Sequence, residues 1–311
     1  MTNHLIATYS IVARDAATGQ LGVAVQSCYV AVGAAVPWAE AGVGVVATQS
    51  FANVDFGPEG LALMRDGVAP ADALRQLLDA DPRRETRQVA LLDATGRVAS
   101  HTGRACVPAA GHLTADGVSV QANMMTDDTV WPAMLDAYLR ATGDLAARLV
   151  AALEAAEAHG GDIRGRQSAA LIVVSGTRAE KPWLGHVFDL RVDDHPEPVA
   201  ELARLLRLKR AQMAQSRFIG AATEGRVEEA LEALKEALAL APDANETRLS
   251  AAMARSFQGR DDEARAILRE LFDGKPHLAD WVDRMVVAGY IPPYPILREM
   301  VATAPPSRSG Q

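Results

Sequence analysis

Two stretches of this chain share one grammar: an apolar run, a short turn rich in Asp, Thr and Gly, and a second apolar run. They are "TYSIVARD-AATG-QLGVAVQSC" (8–28) and "RQVALLD-ATG-RVASHT" (87–102). Such turns supply side-chain hydrogen bonds and the positive φ that a reversal needs, so both read as antiparallel hairpins. Further strands are expected at "VGVVATQS" (43–50), "GVSVQAN" (117–123), "SAALIVV" (168–174) and "HVFDLRV" (186–192). Between them the helical stretches come in pairs. Two short ones are headed by Pro58-Glu59 and Pro70, and two longer ones run over about 127–142 and 144–158. Hairpins and paired helices fit a parallel βαβ sheet poorly, so a layered α+β domain is expected.

From about residue 197 the pattern is helix only. "GRVEEALEALKEALALAP" (225–242) and "GRDDEARAILRELFDGKP" (259–276) align at a period of 34 residues, with Gly225 over Gly259, Ala230 over Ala264 and Pro242 over Pro276. That is the tetratricopeptide period, with small residues where helices approach and proline where the second helix of a repeat stops. Two copies are few for a free solenoid, so the block is expected to pack on its neighbour or to act as an assembly surface for a partner or a second copy. "LADWVDRMVVAGYIPPYP" reads as a capping segment and "APPSRSGQ" as a disordered tail. The expected domains are therefore 1–212 and 213–311.

A net charge of −8 with no basic run argues against nucleic acid as a partner. Val30 to Thr48 is apolar, but Pro37, Glu40 and several glycines make it buried strand rather than a membrane span. No secretory leader pattern opens the sequence, and Cys28 and Cys106 have no metal or redox spacing, so a cytoplasmic protein with reduced thiols is expected. The histidines form no HxxxH pair, and phosphate-loop, nucleophile-elbow and dinucleotide motifs are absent, so no metal and no cofactor are expected. "RVDDHPEP" brings two carboxylates beside His195, but Asp194 and Glu197 have capping-box spacing, and capping is the stronger reading.

The polar residues of interest sit at strand ends. They are Gln49, Ser50 and Asn53 after "VVAT", Arg87 and Gln88 before "VALLD", Gln121 and Asn123 closing "GVSVQAN", and "DIRGRQS" (162–168) before "AALIVV". Amides make good orienting and oxyanion donors because they hold position without titrating. At any single position turn or cap duty is the plainer reading. Four such clusters in one domain point to a shared pocket.

"TYSIVARDAATGQLGVAVQS", "AGVGVVATQSFAN", "GDIRGRQSAALIVV" and "LRVDDHPEPVAEL", in this order, resemble the bacterial domain-of-unknown-function family numbered 1028, similar in fold to the N-terminal-nucleophile (Ntn) hydrolases. The resemblance covers about residues 8–208, and the C-terminal segment resembles a companion region sometimes labelled peptidoglycan-binding. It implies a four-layer αββα Ntn-hydrolase-like sandwich followed by an all-α tetratricopeptide-like region. It also implies an amidohydrolase acting on the amide or ureido C–N bond of a small substrate, and the guanidiniums of Arg164 and Arg166 point to an acidic one. Thr8, opening the first strand, is the positional candidate for an Ntn nucleophile, with Asp162 balancing its amine and Gln49 and Asn123 donating to an oxyanion. Arg164 or Arg166 would hold a substrate carboxylate, beside Gln167, Ser168, Arg87, Gln88 and Asn53. Seven residues precede Thr8, so a free Thr8 amine requires cleavage after Ala7. The alternative is a non-catalytic protein of this fold that binds a small ligand and meets a partner through its helical repeats.

Overall fold

The structure, a computed structural model, describes residues 4–6, 8–291 and 294–304. Ala7, part of the "IPPYP" run and most of the expected C-terminal tail lie outside the described residues. In chain order the N-terminal elements are β1 (His4–Ile6), β2 (Thr8–Arg14), β3 (Leu21–Ser27), β4 (Pro37–Glu40) and β5 (Gly44–Ala52). Then come α1 (Phe56–Arg65), α2 (Pro70–Asp79), β6 (Arg87–Asp93), β7 (Val98–Thr102), β8 (Gly111–Ala115) and β9 (Val118–Asn123). The series closes with α3 (Val130–Arg140), α4 (Leu145–Ala158), β10 (Ser168–Val174), β11 (His186–Val192) and α5 (Pro198–Thr223).

The strands form two antiparallel sheets. One has the order β1-β5-β6-β7, with β4 also on β5; the other runs β11-β10-β3-β2-β9-β8. Alternation along each strand divides the apolar residues between two faces. Val12, Val23, Val25 and Ile172 of the six-stranded sheet meet Val45, Ala47, Ala90 and Leu92 of the other in the interior. The intervening residues Tyr9, Ile11, Ala24 and Val120 point outward under α3 and α4, joined by Val199, Leu202 and Leu206 of α5. On the far side Val46, Val89 and Leu91 lie under α1 and α2. Both strand faces are thus buried, which is why the strands read as nearly continuous apolar runs. The layering is helix pair, sheet, sheet, helix pair.

β1 and β2 are almost consecutive but belong to different sheets. β1 pairs with Ser50–Ala52 of β5, while β2 lies between β3 and β9. β4 pairs with the first half of the same edge of β5, at Gly44–Ala47, so β4 and β1 share that edge.

The chain divides into compact units at residues 1–206 and 207–311. The second unit continues with α6 (Val227–Leu240), α7 (Asn245–Phe257), α8 (Asp261–Phe272), α9 (Pro276–Val287) and α10 (Pro295–Thr303). Phe218, Ala221, Ala230 and Leu234 form one small core; Leu249, Ala264, Leu268, Val282 and Leu297 belong to a larger one. The 34-residue register is real in its glycines and alanines. Gly225 and Gly259 have the same left-handed φ of 74°, and Ala230 and Ala264 are buried. Its prolines divide: Pro242 stands just past the end of α6, as expected, whereas Pro276 opens α9, where a missing N–H costs nothing. No helix among the described residues is long and apolar enough to cross a membrane.

Candidate functional site

Sheet register gathers the polar strand ends at one end of the sandwich. Ser168, Ser27, Thr8 and Asn123 stand side by side across β10, β3, β2 and β9, and all four are fully buried. Two residues along, Ser10 lies opposite Gln121. Gln49 and Gln88, opposite each other on β5 and β6, face this row from the other sheet. The interior is therefore apolar over most of its area and amide-rich at one end.

Gln88 sets the direction of the amide layer. Its Nε2 donates to Thr102 Oγ1 at 2.9 Å and to the carbonyls of Gly111 and Ala122 at 3.1 and 2.8 Å. Carbonyls only accept, so the Gln88 Oε1 must face the other way, where it receives Gln49 Nε2 at 2.8 Å and Asn123 Nδ2 at 2.9 Å. Gln49 Oε1 in turn accepts from Ser10 at 2.7 Å, and Gln121 donates to Ser10 at 2.6 Å. Gln49 and Asn123 each also reach the Thr8 carbonyl at 3.3 Å. What is left over is an acceptor: Asn123 Oδ1 is buried with no partner among the described residues. The Ser50 hydroxyl likewise lacks a standard partner, its neighbour being the Cys106 thiol, which donates to the Arg87 carbonyl at 3.4 Å. Gln26, both of whose amide atoms are also unpartnered among the described residues, and Ser50 occupy outward positions of β3 and β5, so Asn123 Oδ1 is the orphan that belongs to the amide layer, and such an atom costs about 1–3 kcal/mol.

Backbone strain falls in the same place. Among the described residues the non-glycine positions with left-handed φ are Ala31 (55°), Ser50 (69°) and Met124 (59°), all in or just beyond these strand ends. Each costs about 1–3 kcal/mol and persists where the surroundings hold it. Thr102 also contacts His112 Nδ1 at 2.8 Å; burial, with the His101 charge nearby, pushes that imidazole below its ordinary range.

The structure thus brings Thr8, Gln49, Gln88 and Asn123 together. The N–H groups of Gln49 and Asn123, expected to face an oxyanion, are directed at Gln88 and Thr8 instead. Asp162 stands near the row, accepting the Cys28 N–H at 3.3 Å, but its charge is met by Arg164 through Nη2 at 2.8 Å and Nε at 3.1 Å. Arg166 pairs with Glu157 and with Glu197 (2.9 Å), Gln167 donates to Asp194 at 3.2 Å, and Ser168 receives the Val32 N–H at 3.0 Å. Asp194 is therefore bound to Gln167, and the Glu197 N–H goes to His195 Nδ1 at 3.0 Å, not into a capping box. Arg87 lies on the outer side of β6, buried in an ion pair with Asp81 at 2.6 Å, and Asn53, just past the end of β5, lines a cleft with it. No three His, Cys, Asp or Glu side chains among the described residues are arranged to hold a metal.

Sequence reading missed Ser10, Ser27 and Ser119, the hydroxyls that complete the layer. The signal was parity, since Ser10 stands two residues from Thr8 and must share its face. It also missed the Tyr9 hydroxyl donating to Glu157 under α4, which no local spacing announces.

Comparison with known proteins adds the following. The model of a family of unknown function, DUF1028, matches residues 8–202, and a tetratricopeptide-repeat model matches residues 221–281. A crystal structure of a protein from Silicibacter pomeroyi, matched by the same family model, is 33% identical. It aligns with a TM-score of 0.59 over 65% of this chain and 85% of that one. No curated protein matches the chain.

Proposed function

From a chain that belongs to DUF1028, a family of unknown function, we propose an amide-bond hydrolase of the N-terminal-nucleophile type whose nucleophile, Thr8, is latent until the preceding bond is cut. The observation that carries this reading is the unpartnered Asn123 Oδ1, held against the Thr8 backbone by a fixed amide chain. An acceptor kept without a donor is explained if a donor arrives later. Asn123 stands directly opposite Thr8 across β9 and β2, so cleavage before Thr8, which turns a peptide N–H into an amine, would supply new N–H groups from the residue next to it.

In the activating step Thr8 Oγ1 attacks the Ala7 carbonyl, giving an ester and releasing the Thr8 amine; water then hydrolyses the ester and frees residues 1–7 as a carboxylate. In turnover Thr8 Oγ1 attacks the substrate amide carbon while the α-amine takes its proton and passes it to the leaving nitrogen. Water resolves the acyl-enzyme. A neutral amine is needed, so the rate rises with pH through the amine pKa, about 7.7–8.0 when unperturbed. The substrate C–N bond is amide or ureido. The expectation of an acidic substrate rested on Arg164 and Arg166, whose charges are met within the chain. The tetratricopeptide region is the proposed surface for a protein partner or a second copy.

The test is intact mass of the purified chain. Loss of Met1 to Ala7, abolished in Thr8→Ala and retained in Thr8→Ser, supports the reading. A chain that keeps all seven residues under every condition, or a Thr8→Ala protein that still hydrolyses amides, overturns it.

A further inference from the structure

A cleft of about 1020 Å³ opens between α1 and α2 at the end of the five-stranded sheet. It lies on the opposite face of β6 from the amide layer, because Arg87 lines the cleft while its neighbour Gln88 points inward. Ala52, Phe56, Leu63 and Leu77 give it an apolar floor. This volume suits a ligand of drug-like size, which needs apolar lining with a few polar groups to orient it.

The polar groups are of one dominant sign. Asp55, Glu59 and Asp66 stand exposed along the rim, and neither Asp55 nor Glu59 has a salt bridge among the described residues. Unlike Glu40, Glu85, Asp136 and Glu201, which are paired to arginines, these two keep their charge for a ligand. Two guanidiniums also line the cleft, but Arg87 is neutralised by Asp81 and only Arg83 remains to offset the rim. A carboxylate ligand would meet net repulsion here. A purely polar polycation would leave the floor wet. The complement of both features is one molecule with an apolar body and a cationic end.

We propose that this cleft is a binding site for a small amphiphilic amine, its alkyl or aryl portion on the Phe56–Leu63–Leu77 floor and its ammonium group beside Asp55 and Glu59. The site is separate from Thr8 and does not depend on cleavage. Trp38 provides a reporter, since its ring packs directly against Gly57 at the head of α1.

The experiment uses the full chain and three isosteric probes: 4-phenylbutylamine, 4-phenylbutanol and 4-phenylbutyrate, followed by calorimetry and Trp38 fluorescence. The amine is expected to bind several-fold more tightly than the alcohol, and the acid more weakly than either. Neutralising the rim in Asp55→Asn/Glu59→Gln should weaken the amine about five- to tenfold and leave the alcohol unchanged, since each exposed charge contributes up to about 1 kcal/mol. Leu63→Ser should weaken the amine and the alcohol alike. Equal affinity for the three probes overturns the proposal, as does no binding of the amine at millimolar concentration. So does an amine affinity that survives the double variant, or a cleft that takes a basic peptide while ignoring the amine.

Discussion

Arg87 shows how much one buried charge can be asked to hold. It is 2% exposed, donates Nε to Asp81 and reaches the Phe51 carbonyl, so it ties the α2–β6 loop to the end of β5. Burial alone would push Asp81 up, but the Arg87 hydrogen bond, the Arg83 N–H and both charges outweigh it and hold the carboxyl below its usual range. Arg87→Met leaves Asp81 buried and unpaired and is expected to cost about 3–5 kcal/mol in urea unfolding; Asp81→Asn/Arg87→Met should recover much of that. Glu157 behaves in the opposite sense. Burial pushes it up, more than the Tyr9 hydroxyl and the Arg166 charge pull it down. Its contribution to stability is thus full below the ordinary carboxyl value of about 4.3 and is lost as pH rises through its raised folded value. Thermal melts across weakly acid pH should show the parent losing stability with rising pH relative to Glu157→Gln.

At the scale of elements, the parts legible in the sequence were those with local punctuation. Asp15 to Gly19 and Asp93 to Gly96 announce their hairpins, and Pro70 opens α2 where its missing N–H is harmless. β1, β4 and β8 carried no such signal: three to five residues each, they exist because β5 and β9 offer them an edge. The site was legible to the same degree. Polar strand ends could be named one by one, but their convergence depends on register, and the direction of the amides depends on the Gly111 and Ala122 carbonyls, which sequence does not reveal. The pairing of Arg164 with Asp162 and of Arg166 with Glu157 and Glu197 was equally hidden, because free and paired guanidiniums look alike in a string of letters. Close approach of elements is equally invisible. A Cβ on Gly57 would sit 2.4 Å from the Trp38 ring, so α1 can lie on β4 only with glycine there. Gly57→Ala should destabilise by about 1–3 kcal/mol, read as a lowered urea midpoint, with Trp38 displaced.

The whole molecule is two cooperative bodies in one chain. The chain divides into two compact units, each with apolar cores of its own, so denaturation is not expected to be all-or-none. Every member of the amide layer falls in the first body. Under the proposed activation, a chain ending after α5 should therefore lose residues 1–7 just as the full chain would, checked by intact mass. The seven-residue segment has one more consequence at this scale. β4 and β1 together cover one side of β5, so departure of β1 would bare the backbone of Ser50–Ala52 while β4 still shields Gly44–Ala47. A partly stripped strand edge invites another chain to add itself as a strand. The proposed cleavage would then create, in the same event as the Thr8 amine, a short sticky seam. Whether the severed peptide stays in place as its own cover would decide if the mature protein remains solitary or begins to pair with itself.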